Sequence, residues 1–144
     1  MSIPAIIVDV DGTVANMSGI RTAYEWDKVH LDFPKTDIIK IIKLFHSTHH
    51  IIVVSGRDDI CKDATIAWLK KFEVISDELP HGYSIFMRPH NNYEKDAVVK
   101  KNIYDKFIAK NYKVDFVFDD RDQVVEMWRK DLGLTCLQVD YGNF

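Results

Sequence analysis

The sequence has little cysteine, little excess charge of either sign and no long apolar run. Its 144 residues include only Cys61 and Cys136, too few for a disulfide framework. The N-terminus lacks a basic segment followed by an apolar stretch, so we expect no secretory signal peptide, and we expect no membrane span. These absences favour a soluble protein in a reducing cytoplasm.

Further absences limit the classes of function. No segment matches the nucleotide-binding loop G-x-x-x-x-G-K-[ST], which argues against phosphoryl transfer from ATP. The net charge is −3, so the molecule as a whole does not attract a polyanion, and any contact with nucleic acid must be local. We find no repeat or linker, and 144 residues suit a single domain over residues 1–144 with its own core.

The most informative stretch is an apolar run, residues 6–8, that ends in Asp9 and Asp11. A continuous apolar run predicts a buried strand, and ligands bind at the carboxyl ends of parallel strands. Side chains two apart on a strand point the same way, so these carboxylates repel each other unless a cation such as Mg²⁺ lies between them. Gly12 is expected to turn the chain at positive φ. Taken alone, the stretch could also be an ordinary Asp-Gly turn.

Strands and helices alternate along the chain, which predicts an α/β fold with a mostly parallel sheet and helices on both faces. Residues 14–35 are expected to form a loop with short helical pieces. The later strands are predicted at residues 50–54, 83–87, 114–118 and 136–139. The first helix is predicted to have Thr36 or Asp37 as its cap and to run to about residue 45. The others are predicted from Asp58 or Asp59 to about 72 with Ile60 facing inward, at 93–109 and at 123–132.

Polar side chains follow several of these strands where each one ends. Asp9 and Asp11 follow the first strand, Ser55 and Arg57 follow the second, and Asp119 and Asp120 follow the fourth. Because the carboxyl ends of parallel strands meet at one edge of the sheet, we expect these residues to converge on one site.

The motifs Asp9-Val10-Asp11-Gly12-Thr13, Ser55-Gly56-Arg57, Lys100 and Asp119-Asp120 resemble the four motifs of the haloacid dehalogenase (HAD) superfamily of phosphohydrolases. The chain is most similar to the 3′-phosphatase domain of polynucleotide kinase-phosphatases of the bacteriophage type, over essentially its whole length. Within these 144 residues we expect no counterpart of the kinase half of those enzymes. The resemblance implies a three-layer, Rossmann-like HAD fold with a minimal cap. For a phage-encoded protein it also implies the host cytoplasm.

The resemblance also implies a reaction. It would be Mg²⁺-dependent removal of the 3′-phosphate from a DNA or RNA end, with Asp9 as nucleophile, Asp11 as general acid and base, and Lys100 neutralising charge. Metal ligands would be Asp9, the backbone carbonyl of Asp11, and Asp119 or Asp120, between which the sequence does not decide. The residues implied in binding substrate or phosphate are Thr13, Arg21, Ser55, Gly56, Arg57, Asp96 and Arg121.

Several of these roles leave alternatives open. Thr13 is expected to position Asp11, and Asp96 to orient Lys100 from one helical turn away, although such a pair can also be a weak surface ion pair. Lys95 or Lys101 replaces Lys100 if the helix register shifts. Tyr24 and Trp26 could stack a terminal base or simply cover the core.

Alternative functions also remain. The insertions between the motifs are short, so we expect an open site that admits a polymer end. A 5′(3′)-deoxyribonucleotidase acting on free mononucleotides is the second hypothesis, and a non-catalytic binder of nucleic-acid ends is the third. A separate kinase or ligase is an expected partner.

Overall fold

The computed structural model describes residues 2–144 and has the predicted α/β architecture. The strands are β1 (Ile3–Val8), β2 (Ala15–Asn16), β3 (Phe33–Pro34), β4 (His50–Asp58), β5 (Tyr83–Arg88), β6 (Tyr112–Asp119) and β7 (Cys136–Gln138). The α-helices are α1 (Thr36–Lys43), α2 (Lys62–Lys71), α3 (Asp96–Ile103) and α4 (Asp122–Glu126).

The main sheet has the strand order β5-β4-β1-β6-β7, and every strand pair in it is parallel. The chain builds outward from β1 through β4 to β5, and then returns to the other side of β1 with β6 and β7. This reversal makes the carboxyl ends of β1 and β6 a topological switch point, where ligands bind in open α/β sheets.

The sheet is buried on both faces because alternate residues of β1 enter two separate cores. Ile6 and Val8 pack in one core with Trp68 of α2, and Ala5 and Ile7 pack in the other with Val99 of α3. A strand covered on both sides must be apolar at every position, which explains the unbroken apolar run before Asp9.

The boundaries of several elements differ from the prediction. The second predicted helix begins with a 3₁₀ turn, Asp59–Cys61, and this turn leaves Ile60 exposed, so the inward placement of Ile60 was wrong. The first helix has Lys35 at its N-cap position without a side-chain hydrogen bond, so neither Thr36 nor Asp37 caps it. The third and fourth helices end in π-helical segments, Tyr104–Ile108 and Met127–Asp131.

The segment between the first motif and α1, residues 14–35, is small. The two-stranded antiparallel sheet β2-β3 and a 3₁₀ helix, Trp26–Leu31, account for its regular structure. This segment contributes Tyr24 and Trp26 to the wall of a cavity above β1. Across residues 2–144, no helix is both long and apolar enough to cross a bilayer.

Candidate active site

Asp9 follows β1 directly, is buried, and has a partner at each carboxylate oxygen. Lys100 Nζ of α3 donates to Oδ1 at 2.7 Å, and the Thr13 hydroxyl donates to Oδ2 at 2.9 Å. The same Nζ also donates to Asp119 Oδ2 at 2.9 Å, so one buried ammonium group bridges two carboxylates from different strands. Lys100 therefore holds the position that the motif predicted, and the alternatives Lys95 and Lys101 do not.

Asp119 and Asp120, at the end of β6, have different surroundings. Asp119 Oδ2 accepts from Lys100 and, at 3.1 Å, from the Trp128 indole, while Oδ1 accepts from the backbone N–H of Asp120 at 2.9 Å. The carboxylate of Asp120 has only a 3.5 Å contact with the Thr13 hydroxyl among the hydrogen bonds of residues 2–144. Both carboxylate oxygens of Asp119 thus accept hydrogen bonds from the protein, whereas the carboxylate oxygens of Asp120 keep lone pairs that can bind a ligand.

Gly12 allows this close approach. It lies at φ +81°, and a Cβ at this position would come within 2.0 Å of Asp120 Oδ2. A side chain here would be strained by the backbone and would also displace the carboxylate. The predicted positive φ at Gly12 is confirmed.

The pKa values of the site show an excess of buried negative charge. Burial, and then the charge of Asp119, raise the pKa of Asp9 well above its usual range despite the opposing effect of Lys100. Burial and Asp119 also raise the pKa of Asp120. Burial alone would lower the pKa of Lys100, but Asp119 and Asp9 outweigh it and raise that pKa. One lysine does not compensate three carboxylates, so the site favours a further cation.

Asp11 points away from this cluster, towards two arginines. Arg57 donates to its carboxylate through Nε and Nη2, at 3.1 and 2.8 Å, and Arg21 donates through Nη2 at 3.1 Å. Thr13 bonds Asp9 rather than Asp11, so the expected contact between Thr13 and Asp11 was wrong. The side chain of Asp11 also lies outside the group of carboxylates that could hold a metal, which leaves only its backbone carbonyl as the predicted ligand.

A second carboxylate, that of Asp32, bonds both arginines that hold Asp11. Its side chain is fully buried, and it accepts from Arg21 Nε at 2.8 Å and from Arg57 Nη2 at 2.8 Å. Arg57 also donates to the Thr65 hydroxyl at 3.0 Å. Both guanidinium groups are therefore directed at carboxylates, and they position Asp11 instead of presenting open forks to a phosphate.

We expect Asp32→Asn to lower both activity and stability. The substitution removes the charge that compensates two buried arginines, and breaking a buried ion pair typically costs about 3–5 kcal/mol. Urea unfolding and phosphatase turnover measure the two effects, and the exposed Asp37 offers a control in Asp37→Asn. If Asp32→Asn matched the control in both measurements, Asp32 would have no role in holding the arginines.

Two further residues predicted to bind substrate, Asp96 and Arg121, bond each other next to Gly56. Asp96, at the start of α3, accepts from Arg88 and from Arg121 Nη1, the latter at 2.8 Å. No hydrogen bond or ion pair joins Asp96 to Lys100 within residues 2–144, so the orientation of Lys100 by Asp96 stays a prediction. Burial alone would raise the pKa of Asp96, but the charges of Lys100, Arg121 and Arg88 outweigh it and lower that pKa. A Cβ on Gly56 would meet Asp96 Oδ1 at 2.5 Å.

Ser55 is buried, and its hydroxyl accepts a hydrogen bond from the backbone N–H of Arg57 at 3.1 Å. This contact lies within β4, at the irregularity in its pairing with β5 between Ser55 and Asp58. A hydrogen bond from Ser55 to a phosphoryl oxygen stays a prediction.

A cavity of about 600 Å³ opens above these groups. Asp9, Asp11, Lys100, Asp119 and Asp120 lie in its lining. Its rim adds charged and aromatic side chains, namely Tyr24, Trp26, Arg57, Arg88, Tyr93, Arg121 and Phe144.

Three residues of the site were missed as functional candidates from the sequence. Asp32 lies in an irregular segment whose pairing depends on the tertiary fold. Trp128 lies in a π-helical segment, which gives no simple periodic signal. Arg88 directly follows the predicted third strand, and no local spacing links it to its partners Asp96 and the Gly56 carbonyl.

Comparison with known proteins identifies the family to which the chain belongs. A family model described as the phosphatase domain of polynucleotide kinase PNKP, of the HAD type, matches residues 3–144. A protein of Autographa californica nuclear polyhedrosis virus that carries the name bifunctional polynucleotide kinase/RNA ligase is 37% identical over 128 residues, which is 87% of this chain and 18% of that protein.

Solved structures extend the comparison. A chain of a Pnkp1/Rnl/Hen1 complex has a TM-score of 0.90 and 34% identity, covering 99% of this chain and 48% of that one. The class C acid phosphatase of Bacillus anthracis has a TM-score of 0.55 and 20% identity, covering 85% of this chain and 53% of that one, and so shows a shared fold only. The chain thus spans less than half of the matched chain of the complex and under a fifth of the viral relative.

Proposed function

The chain belongs to the family of polynucleotide kinase PNKP phosphatase domains, HAD-type phosphoric monoester hydrolases, and we propose that it removes the 3′-phosphate from DNA or RNA ends with Mg²⁺ and through an aspartyl-phosphate. The observation that carries this proposal is the buried Lys100, which bridges Asp9 and Asp119 beside Asp120. A carboxylate nucleophile and a phosphate monoester repel each other, and fixed positive charge at their meeting point is what the reaction needs.

The donor set fits a magnesium ion. Asp9, Asp119 and Asp120 are buried, and one oxygen from each lies within 4.8 Å of the others. Hard carboxylate oxygens with room for waters and phosphate suit Mg²⁺. Burial, and then the charge of Asp119, raise the pKa of Asp9, and a bound cation would oppose this rise. When bound, the ion neutralises the nucleophile and the phosphoryl oxygens. Asp120 would contact it directly, and Asp119 would act mainly through Lys100 and Trp128.

The first chemical step uses Asp9 and Asp11. An oxygen of Asp9 attacks phosphorus, the bond between phosphorus and the sugar 3′-oxygen breaks, and Asp11 gives its proton to the leaving oxygen. In the second step, water attacks the phosphorus of the aspartyl-phosphate and gives its proton to Asp11. The bond between phosphorus and Asp9 then breaks, which releases inorganic phosphate and restores the Asp9 carboxylate and the protonated Asp11. Arg21, Arg57 and Asp32 keep Asp11 on the substrate side of Asp9.

A polymer end is the favoured substrate because the cavity is open. The segment after the first motif, residues 14–35, is too small to close over it. The relatives support this choice, since their names refer to polynucleotide kinase, RNA ligase and RNA repair. Those names also support cooperation with a kinase or ligase activity, on this chain or another. Residues 1–144 would act as one phosphatase unit in such an assembly.

A substrate panel tests the function. We expect a 3′-phosphorylated oligonucleotide to be dephosphorylated with Mg²⁺ and not after chelation, with a higher kcat/KM than a 3′-mononucleotide. Release of inorganic phosphate measures each rate on both DNA and RNA ends. A strong preference for the mononucleotide would favour the nucleotidase alternative, and turnover unaffected by chelation would contradict the metal requirement.

A further inference from the structure

Tyr93 is a large aromatic residue that the packing of the core does not use. It lies in the loop between β5 and α3, is 90% exposed, and lines the cavity that contains Asp9. Proteins that bind single-stranded nucleic acid stack successive bases on aromatic side chains along the binding groove. Tyr24, 83% exposed, lines the same cavity from the segment after β1.

The loop that carries Tyr93 is braced rather than free. The Arg88 guanidinium donates to the backbone carbonyls of Asn92, at 3.2 Å, and of Glu94, which lie on either side of Tyr93. The Asn92 side chain accepts from the Glu94 backbone N–H at 2.9 Å. A ring held on such a loop loses little conformational freedom when a ligand stacks on it, so its contribution to binding is larger.

The same brace connects the loop to the reaction site. Arg88 Nε donates to the Gly56 carbonyl at 2.8 Å, and Arg88 also bonds Asp96, which in turn bonds Arg121. The position of the Tyr93 loop is thereby tied to the second motif and to the start of the helix that bears Lys100.

Tyr24 is anchored in a comparable way. Its ring meets that of Trp26 edge to face, with 6.2 Å between the centroids, and the Arg21 guanidinium lies 6.0 Å from the Trp26 ring centre. Tyr24 is therefore tied through Trp26 to the arginine that holds Asp11.

We propose that Tyr93, together with Tyr24, forms a nucleobase-stacking subsite that holds the last bases of a polynucleotide end while its 3′-phosphate lies over Asp9. This inference rests on the proposed function. The π face of a base is common to all four nucleotides and to DNA and RNA, so stacking would bind ends of any sequence. It would also let a chain of net charge −3 bind a polyanion locally.

Steady-state kinetics on Tyr93→Ala and Tyr93→Phe test the subsite. Tyr141→Ala is a matched control, because Tyr141 is 98% exposed and lines a separate hollow near the C-terminal residues. We expect Tyr93→Ala to raise KM for a 3′-phosphorylated oligonucleotide by about 5- to 100-fold, with kcat within about twofold. Tyr93→Phe keeps the ring and should behave as the wild type.

An oligonucleotide with abasic residues at its last two positions separates stacking from other contacts. Because both tyrosines would stack bases, the wild type should bind this end at least as weakly as Tyr93→Ala binds the intact end. Tyr93→Ala should lose less affinity than the wild type when the two bases are removed. The subsite would be overturned if Tyr93→Ala left KM unchanged or lowered kcat alone. It would also be overturned if removal of the two bases weakened binding equally in the wild type and in Tyr93→Ala.

The subsite and the proposed function fail in different ways. If the wild type does not dephosphorylate 3′-phosphorylated oligonucleotides, the function fails. Fluorescence anisotropy with a labelled 3′-hydroxyl oligonucleotide then still tests the subsite, since Tyr93→Ala should weaken that binding by the same factor. If the wild type is active and Tyr93→Ala matches it in KM, the subsite alone fails.

Discussion

Asp9→Asn is expected to lower turnover of a 3′-phosphorylated oligonucleotide by at least about 10⁴-fold, because an amide cannot accept the phosphoryl group. The fold should survive, since Asn has nearly the same shape and both partner groups, Lys100 Nζ and the Thr13 hydroxyl, remain in reach. Burial and Asp119 raise the pKa of Asp9, which means that its charge is unfavourable in the folded state without a metal. The neutral variant should therefore be as stable as the wild type or more so in the absence of Mg²⁺.

This combination of lost activity and retained stability distinguishes a nucleophile from a structural residue. Thermal unfolding and phosphate release, measured on the same preparations, give both quantities. Asp63→Asn, at an exposed position of α2, is the control and should change neither. An Asp9→Asn protein that is folded and fully active would remove Asp9 from the chemistry.

Lys100→Met should have the second largest effect, on stability as well as on rate. Methionine is of similar length but leaves Asp9 and Asp119 buried without their shared cation. Uncompensated buried charge costs about 3–5 kcal/mol, or roughly 6–20 °C in Tm for a domain of this size. Loss of a fixed charge that stabilises the transition state should lower kcat by about 10²- to 10³-fold.

The pH dependence of this destabilisation has a definite sign. Asp9 and Asp120 have raised pKa values in the folded state, so stability that is present in acid is lost as pH rises through those values. Without Lys100 the loss should be greater, so the gap in Tm between Lys100→Met and wild type should be smaller at about pH 5 than at about pH 8. Added Mg²⁺ should also narrow the gap at the higher pH.

Lys101→Met serves as the matched control, because Lys101 is the next residue of α3 and is partly exposed. It should change stability by no more than about 0.5 kcal/mol and leave kcat intact. A Lys100→Met protein with the stability and activity of this control would contradict the role of Lys100 as the bridge between the two strands.

The parts of the fold that were predictable are those whose signal is local. The apolar runs before Asp9 and Asp119 identify strands buried on both faces, and alternation with helices implies a parallel sheet. The convergence of Asp9 and Asp119 then depends only on the shared edge of that sheet, and Lys100 reaches them from α3, which packs on one face. Element ends such as the 3₁₀ turn that exposes Ile60 depend on tertiary packing, which periodicity does not report.

The arginine contacts were not predictable for a different reason. A sequence shows that Arg21 and Arg57 are present, but not that their donors are already occupied by Asp11 and Asp32. Asp32 is 11 residues from Arg21 and 25 from Arg57, so no local spacing links them, and the pairing arises only when the segment after β1 folds back over the sheet. The same holds for Arg88, whose partners lie in the following loop and in the second motif.

Mapping of the phosphorylated residue tests the central claim most directly. Wild type and Asp9→Asn are mixed with a 3′-phosphorylated oligonucleotide and Mg²⁺, quenched in acid within the first turnover, and analysed by mass spectrometry of their peptides. We expect phosphate on Asp9 in the wild type and none on the Asp9→Asn protein. Product release by the wild type without phosphate on the protein, or phosphate on a residue other than Asp9, would contradict the proposed chemistry.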